Sequence, residues 1–517
     1  MAISASYKQK LWVILAITLV LRLFAMWAIP LTDTTEARYG EIARKMEETN
    51  NWVTPLHNYN APQSECAHIA CVPLGEHDFG VPFWAKPPLS TWTAAISMKV
   101  FGVNEFAARL PSLLFCLGIL WLIYAWLTPR ANNLNLIAVT VLATSLLFCG
   151  SAGLVMTDLA LIFCSAFSMI CFWQAAVEDK GKRWGYLFFI GMGVGLLAKG
   201  PLILVLVGLP TGAWTLLHRQ FLTVWQRLPW LTGFTLTFAI AAPWYWLAEQ
   251  STPGFIQYFI VGEHFSRFLI SGWQGDLYGH AHSEPLGMIW LYVLSGFLPW
   301  MGLVISLLIT RRKETRWRYP LGDTWLSYLI LWTVMPVIFF TFAHNIISPY
   351  ALPAMPAGAI LLAEFFARFN RTTATHGTGA AVFNVQSFYR LSMVTPVLFV
   401  LAIGIYIALP NSMPKRSEKD IAHVYMELRK DSSSQLVYVK DRLYSAEFYT
   451  AGKARVVNNV EELQKLLGNS TQDFVAVDAR YFNAEWKDFI SAHFKKVAEF
   501  HNTSLFQECE TADACQH

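Results

Sequence analysis

The sequence predicts an all-α polytopic membrane bundle of about 11 spanning helices, followed by a small extracytoplasmic α/β domain. Three observations carry this. The chain is 55% hydrophobic and 14% charged, against roughly 25% charged in soluble domains. Apolar runs of spanning length recur between residues 11 and 409, and from Pro410 the composition becomes that of a soluble domain. The net charge of +4 is scattered in short clusters between the apolar runs, which excludes the basic patch of a nucleic-acid-binding protein.

A span needs about 20 apolar residues. The first, 11–29, follows Lys8 and Lys10; Arg22 interrupts it and no small-residue cleavage site follows, so it reads as a retained span rather than a signal peptide. Further spans are predicted at 106–127, 134–150, 158–176, 184–198, 202–217, 231–247, 286–309, 324–342, 350–366 and 391–409. The run 88–102 reads as a surface-lying or partly buried helix.

The loops carrying Arg130, Lys180 to Arg183, Arg219 with Arg227, the cluster 311–318, and Arg368 with Arg371 then share one face. The positive-inside rule makes that face cytoplasmic. The N-terminus is cytoplasmic as well, whereas the loop 30–89 and the C-terminal domain are periplasmic.

Two domains follow: a membrane domain, 1–409, and a soluble one, 410–517. In the second, strands are predicted at 436–440 and 474–478 and helices at 460–467 and 486–493. It reads as a lid or a partner-docking domain. The stretch 368–386 reads as a flexible cytoplasmic linker.

The loop 30–89 carries eight acids against four Lys and Arg. Loops of this length are usually functional. Tyr39, Ile42, Ala43 and Met46 recur at helical spacing, with Arg38, Glu41, Lys45 and Glu48 on the opposite face, so an amphipathic helix is predicted in the membrane interface. Asp33 and Glu36 stand at its head, where a capping pair and a catalytic role are both open.

Of eight cysteines, Cys116, Cys149, Cys164 and Cys171 lie in apolar runs. Cys66 with Cys71 and Cys509 with Cys515 read as disulfides of an oxidising compartment. For the first pair, zinc held with residues such as His57, Glu65, His68, Glu76, His77 and Asp78 is the alternative.

Other candidates lie at membrane boundaries. Asp158 heads an apolar span, and an ionisable group at membrane depth is a functional candidate by default. Lys86 precedes two prolines, which extend the chain and fix the direction of its ammonium, suiting it to a phosphate. Lys199 reads as snorkelling to the interface. Glu263, His264 and Arg267 fall within about one helical turn, and Tyr350 follows a polar cluster at His344. Acids beside fixed cations suit transfer from a phosphate leaving group.

These stretches together resemble the integral-membrane GT-C glycosyltransferases of the protein O-mannosyltransferase and lipid A aminoarabinose transferase superfamily. The matching stretches are Thr35-Glu-Ala-Arg-Tyr39, Lys86-Pro-Pro-Leu89, Phe101 to Ser112 with its Phe-Ala-Ala-Arg-Leu-Pro-Ser, Met156-Thr-Asp158, Gly195-Leu-Leu-Ala-Lys-Gly-Pro201, Glu263-His-Phe-Ser-Arg-Phe268 and Tyr350-Ala-Leu-Pro353.

The resemblance implies an inverting transfer in a bacterial inner membrane. A sugar would move from a polyprenyl-phosphate donor to an extracytoplasmic acceptor: a lipid A-like glycolipid, or a hydroxyl of a protein or glycan. It implies catalytic acids at Asp33, Glu36 and Asp158, a donor-phosphate cradle of Lys86, Arg267 and Tyr350, and a possible divalent metal at His264. Three departures stand out. Thr35 replaces the Asp that the family has before Glu36, which moves the expected base to Asp33. Ala85 replaces the Glu zinc ligand of the aminoarabinose transferases. Ile346 and Ile347 stand where a Lys often precedes the Tyr350 motif. A lipid-linked sugar flippase stays open as the alternative function.

Overall fold

The computed structural model describes residues 4–61, 69–73, 79–130, 133–279, 282–302, 304–305, 320–376, 385–409, 417–431, 433–465 and 471–509. Hydropathy dictates the bundle. Helices α1 (Ala5–Ala28), α4 (Glu105–Leu127), α5 (Leu134–Ala143), α6 (Leu146–Ser151), α7 (Asp158–Phe172), α8 (Lys182–Lys199) and α9 (Leu202–Leu217) fall on the predicted spans. So do Trp230–Ser251, Met288–Gly296, Thr324–Thr341, Met355–His376 and Val385–Ala408.

Among the described residues, six helical stretches are long and apolar enough to cross a bilayer by themselves, and the chain is a multi-pass membrane protein. One predicted span, 134–150, is broken into α5 and α6. Within the predicted linker, helix continues to His376; the basic cluster 311–318 and most of the linker's remainder lie outside the described residues.

The break between α8 and α9 sets one wall of the site. Gly200 has φ +72°, a left-handed turn that L side chains rarely adopt, and Pro201 follows at the head of α9. A Cβ at Gly200 would also lie 2.6 Å from Phe259 Cζ and 3.1 Å from His264 Cε1. Only glycine permits that approach, and it fixes the neighbouring Lys199.

The loop 30–89 has structure of its own. Helix α2 (Thr35–Thr49) is followed by strands β1 (Leu56–Ala61), β2 (Val72–Pro73) and β3 (Phe79–Pro82), with β3 central and both pairings antiparallel. Helix α3 (Leu89–Phe101) then packs against α2 and α4. The apolar face of α2 is buried as its spacing requires: Tyr39, Ile42, Ala43 and Met46 all lie in the core.

Its opposite face corrects the interfacial expectation, because Glu41 and Lys45 are also fully buried. The C-terminal domain covers them. That domain is a five-stranded sheet in the order β5-β4-β6-β8-β7, where β4 is Leu436–Val439, β5 Ala454–Val457, β6 Phe474–Asp478, β7 Phe494–Phe500 and β8 Thr503–Glu508. β4 pairs in parallel with β5 and β6, and β8 runs antiparallel to β6 and β7.

Its short helix Tyr444–Tyr449 lies on α2. There Lys45 meets Glu447 at 2.8 Å, Arg442 meets Glu447 at 2.8 Å, and Arg44 grips Glu41 at 2.7 and 2.8 Å. Charges withdrawn from water must be paired in this way. Cys71 and Cys509 are both disulfide-bonded, which removes Cys71 from the zinc alternative; the predicted partners Cys66 and Cys515 lie outside the described residues.

A buried clamp joins the head of the loop to the bundle. Arg109 of α4 is 2% exposed and holds both oxygens of Glu36, with Nε and Nη2 each 2.7 Å away. The same guanidinium donates to the carbonyls of Met26, Ile29 and Pro30, at the end of α1. Glu36 also accepts from the Thr32 and Val155 backbone N–H groups, at 3.2 and 3.4 Å. Arg109→Met is expected to strand a buried carboxylate and cost about 3–5 kcal/mol of stability, part of which Glu36→Gln restores in the double variant. Thermal unfolding in detergent measures it, and an unchanged Tm in the single variant would show that the clamp is not needed.

Candidate functional site

The cation-bearing segments converge on one cavity of about 420 Å³. Its polar lining comes from Lys86 after β3, Lys199 at the end of α8, Glu263, His264 and Arg267 after Trp230–Ser251, and Asn345 and Tyr350 after Thr324–Thr341. Leu202, Val205, Phe268, Leu269, Phe339 and Phe340 make the rest apolar.

Glu263 organises the cations. It accepts from Lys86 Nζ at 2.8 Å and from Arg267 Nη1 at 2.9 and 3.0 Å, with the Tyr258 hydroxyl at 3.2 Å. Burial by itself would raise its carboxyl, but Lys86 and Arg267 outweigh burial and hold it at about 2, so it is ionised. Arg267 reaches Asp276 as well, at 3.2 Å.

On the other wall, Lys199 Nζ lies 2.6 Å from Asp158 Oδ1 and 4.6 Å from the centre of the Tyr350 ring. Lys199 is 6% exposed, so it does not snorkel to the surface as the sequence suggested. Its burial requires the partner that Asp158 supplies. Asp158 opens α7, and no side chain of Thr157 caps that helix.

Two acids expected to be catalytic are engaged elsewhere and do not line the cavity. Glu36 is saturated by Arg109. Asp33 meets the N-terminus of helix Tyr444–Tyr449, accepting from the Tyr444 N–H at 2.8 Å and the Ser445 N–H at 3.2 Å. Burial pushes its carboxyl up to about 6 against the pull of those bonds. Of the capping pair, therefore, only Glu36 bonds locally, and Asp33 docks the C-terminal domain.

His57 stacks near Phe83, Tyr278 and Tyr444, and burial with Lys45 and Arg38 nearby drives it down to about 3. It is a neutral packing residue.

Nδ1 of His264 lies 2.8 Å from the Phe259 carbonyl and Nε2 3.3 Å from that of Lys199; burial lowers the imidazole's pKa and favours the neutral ring, in which only one of the two nitrogens donates. No cluster of three His, Cys, Asp or Glu among the described residues forms a metal-binding group.

Asn345 and the pairing of Lys199 with Asp158 were not assigned from sequence. The signal for Lys199 was the Ala-Lys-Gly-Pro turn; for Asn345 there was none beyond its place in a polar cluster.

Residues 10–259 match the family of dolichyl-phosphate-mannose-protein mannosyltransferases. The fold resembles the crystal structure of ArnT from Cupriavidus metallidurans bound to undecaprenyl phosphate, with a TM-score of 0.72 over 97% of this chain and 98% of that one, at 19% identity. The chain is thus similar to the ArnT-like GT-C glycosyltransferases, in sequence over 10–259 and in fold over nearly its whole length. Relatives of this chain include the undecaprenyl phosphate-alpha-4-amino-4-deoxy-L-arabinose arabinosyl transferases of Erwinia tasmaniensis and Edwardsiella ictaluri. The first is 29% identical over 353 residues, covering 66% of this chain and 56% of that protein. The second is 27% identical over 370 residues, covering 69% and 59%. This chain thus spans less than two thirds of their length.

The raised carboxyl of Asp33 gives a pH dependence of known sign. A folded-state value above the unfolded one contributes stability that is complete below about 4 and lost as pH rises through about 6. Thermal stability followed from pH 4 to 7 is expected to fall more in the wild-type protein than in Asp33→Asn; parallel curves would exclude the docking role of this carboxyl.

Proposed function

We propose that this ArnT-like chain is an inverting glycosyltransferase of a bacterial inner membrane, moving one sugar from a polyprenyl-phosphate donor to a lipid A-like acceptor on the periplasmic face. The observation that carries this reading is the convergence of Lys86, Lys199 and Arg267 on one cavity that is apolar over much of its wall. A leaving phosphate gains negative charge as the glycosidic bond breaks, and cations fixed in a site of low dielectric stabilise that charge without reorganising. Cavities of this size hold small ligands and headgroups. The apolar wall suits the first isoprene units of the lipid.

The carboxylates explain how such a site persists when empty. Three unpaired cations at a membrane boundary would repel one another, whereas Glu263 and Asp158 hold them at bonding distance until a phosphate shares them. Tyr350, with its ring against Lys199, completes that side. Of the three acids the resemblance marks as catalytic, Asp158 is the one tied to the cavity wall, through its bond to Lys199, and we assign it the role of orienting the reacting groups. Asp33 and Glu36 then position the loop. A lipid A phosphate acceptor is already anionic and needs no base; a hydroxyl acceptor would.

The names of the relatives support a sugar carried on undecaprenyl phosphate. The basic residues of the short loops support a cytoplasmic N-terminus and a periplasmic site.

Protein in liposomes with a polyprenyl-phosphate sugar and lipid A is expected to release polyprenyl phosphate in step with acceptor modification. Lys86→Met and Arg267→Met are each expected to lower kcat/KM by about a hundredfold or more. Transbilayer movement of the sugar lipid with no release would establish the flippase instead.

A further inference from the structure

Asn345 is a polar side chain in the cavity with half of its amide uncommitted. It is 7% exposed and lines the wall that also holds Tyr350 and Phe340. Its Oδ1 accepts the His282 backbone N–H at 3.1 Å. Since that partner is a donor, the atom facing it must be the amide oxygen, which leaves the NH₂ pointing away from His282. Nδ2 is buried and has no hydrogen-bond partner among the described residues.

The side chain is held in place. Next to it, the Glu284 N–H donates to the His344 carbonyl at 2.9 Å, so residues 282–284 and 344–345 are tied by two bonds. A buried amide N–H is rarely left unpaired.

The cations on the wall have partners already. Lys86 and Arg267 bond to Glu263, and Lys199 bonds to Asp158. An arriving phosphate must share those three with carboxylates, whereas the Nδ2 protons of Asn345 are released by nothing on binding. We propose that Asn345 is a donor-binding residue whose Nδ2–H donates to an oxygen of the prenyl phosphate. The proposal rests on the polyprenyl-phosphate reading above and adds to it, beside Tyr350, a neutral, directional contact that the cations do not provide. Charge attracts the phosphate from any side, but a fixed amide selects one orientation of it.

Asn345→Asp is the informative variant. It retains an oxygen for the His282 N–H and replaces the free NH₂ with a second oxygen at nearly the same position, so the fold keeps its bond while the phosphate meets a repelling group. Binding of undecaprenyl phosphate and of neutral undecaprenol to protein in nanodiscs is measured for wild type, Asn345→Asp and Asn345→Ala, with Tm as the check on folding.

Asn345→Ala is expected to weaken undecaprenyl phosphate about tenfold or more, and Asn345→Asp further, with undecaprenol unchanged in both. Equal phosphate affinity in wild type and Asn345→Asp overturns the proposal. Normal binding of undecaprenyl phosphate combined with a loss for the sugar-bearing donor would move the hydrogen bond to the sugar and overturn the phosphate assignment. Parallel losses for phosphate and undecaprenol, or a collapsed Tm in both variants, would make Asn345 structural. A wild-type protein that fails to prefer undecaprenyl phosphate over undecaprenol would fail at the level of the proposed function, before Asn345 is considered.

Discussion

Much of the architecture depends on the buried clamp between Arg109 and Glu36. One guanidinium satisfies a carboxylate from the first loop and three carbonyls at the end of α1, while the carboxylate also takes a backbone N–H that precedes α7. Four chain segments therefore meet at one ion pair in a place where water cannot substitute. The carbonyls at the end of a membrane helix need partners, and Arg109 meets that need with donors that no helix of its own could supply. The position of α2, and through α2 the docking of the C-terminal domain, follow from it.

The same electrostatic rule, applied a second time, builds the cavity. Every cation on its wall has a carboxylate at bonding distance, and every such carboxylate is itself buried or nearly so. The structure is neutral locally, yet its positive groups are arranged around a shared space. Two layers of charge pairing are thus separated in use. Pairs with no cavity beside them, such as Glu36 with Arg109 and Lys45 with Glu447, hold the loop, while pairs on the wall hold cations in readiness.

Hydropathy made the membrane domain legible, because a bilayer imposes a length and an apolar character that can be read locally. The first loop was legible only in part. The spacing of Tyr39, Ile42, Ala43 and Met46 gave α2, but its charged face carries the pattern of a solvated surface, and only the C-terminal domain's Glu447 and Arg442 explain why Lys45 and Glu41 are buried. In the C-terminal domain, β4 and β6 announced themselves as continuous apolar runs, whereas β7, with Lys495, Lys496 and Glu499, is an edge strand whose exposed side hides it. The three strands of the loop were missed because they are short and lie among Asn, Pro and Gly. The resemblance, with Thr35 in place of the family's Asp, pointed to Asp33 as a base; its partner, the Tyr444–Ser445 backbone, is more than 400 residues away in sequence.

The sequence by itself determined where helices lie, which loops bear charge and which superfamily the motifs resemble, since each of these is written in a window of a few to some 20 residues. The tertiary structure alone decided which acid serves which cation. Glu36 and Arg109 are 73 residues apart, Asp158 and Lys199 are 41 apart, and Lys86 and Glu263 are 177 apart. No local pattern encodes such pairings. They are selected because an unpaired charge in a low-dielectric interior is too costly to survive, so each buried ion takes the counter-ion that the packed helices bring within reach.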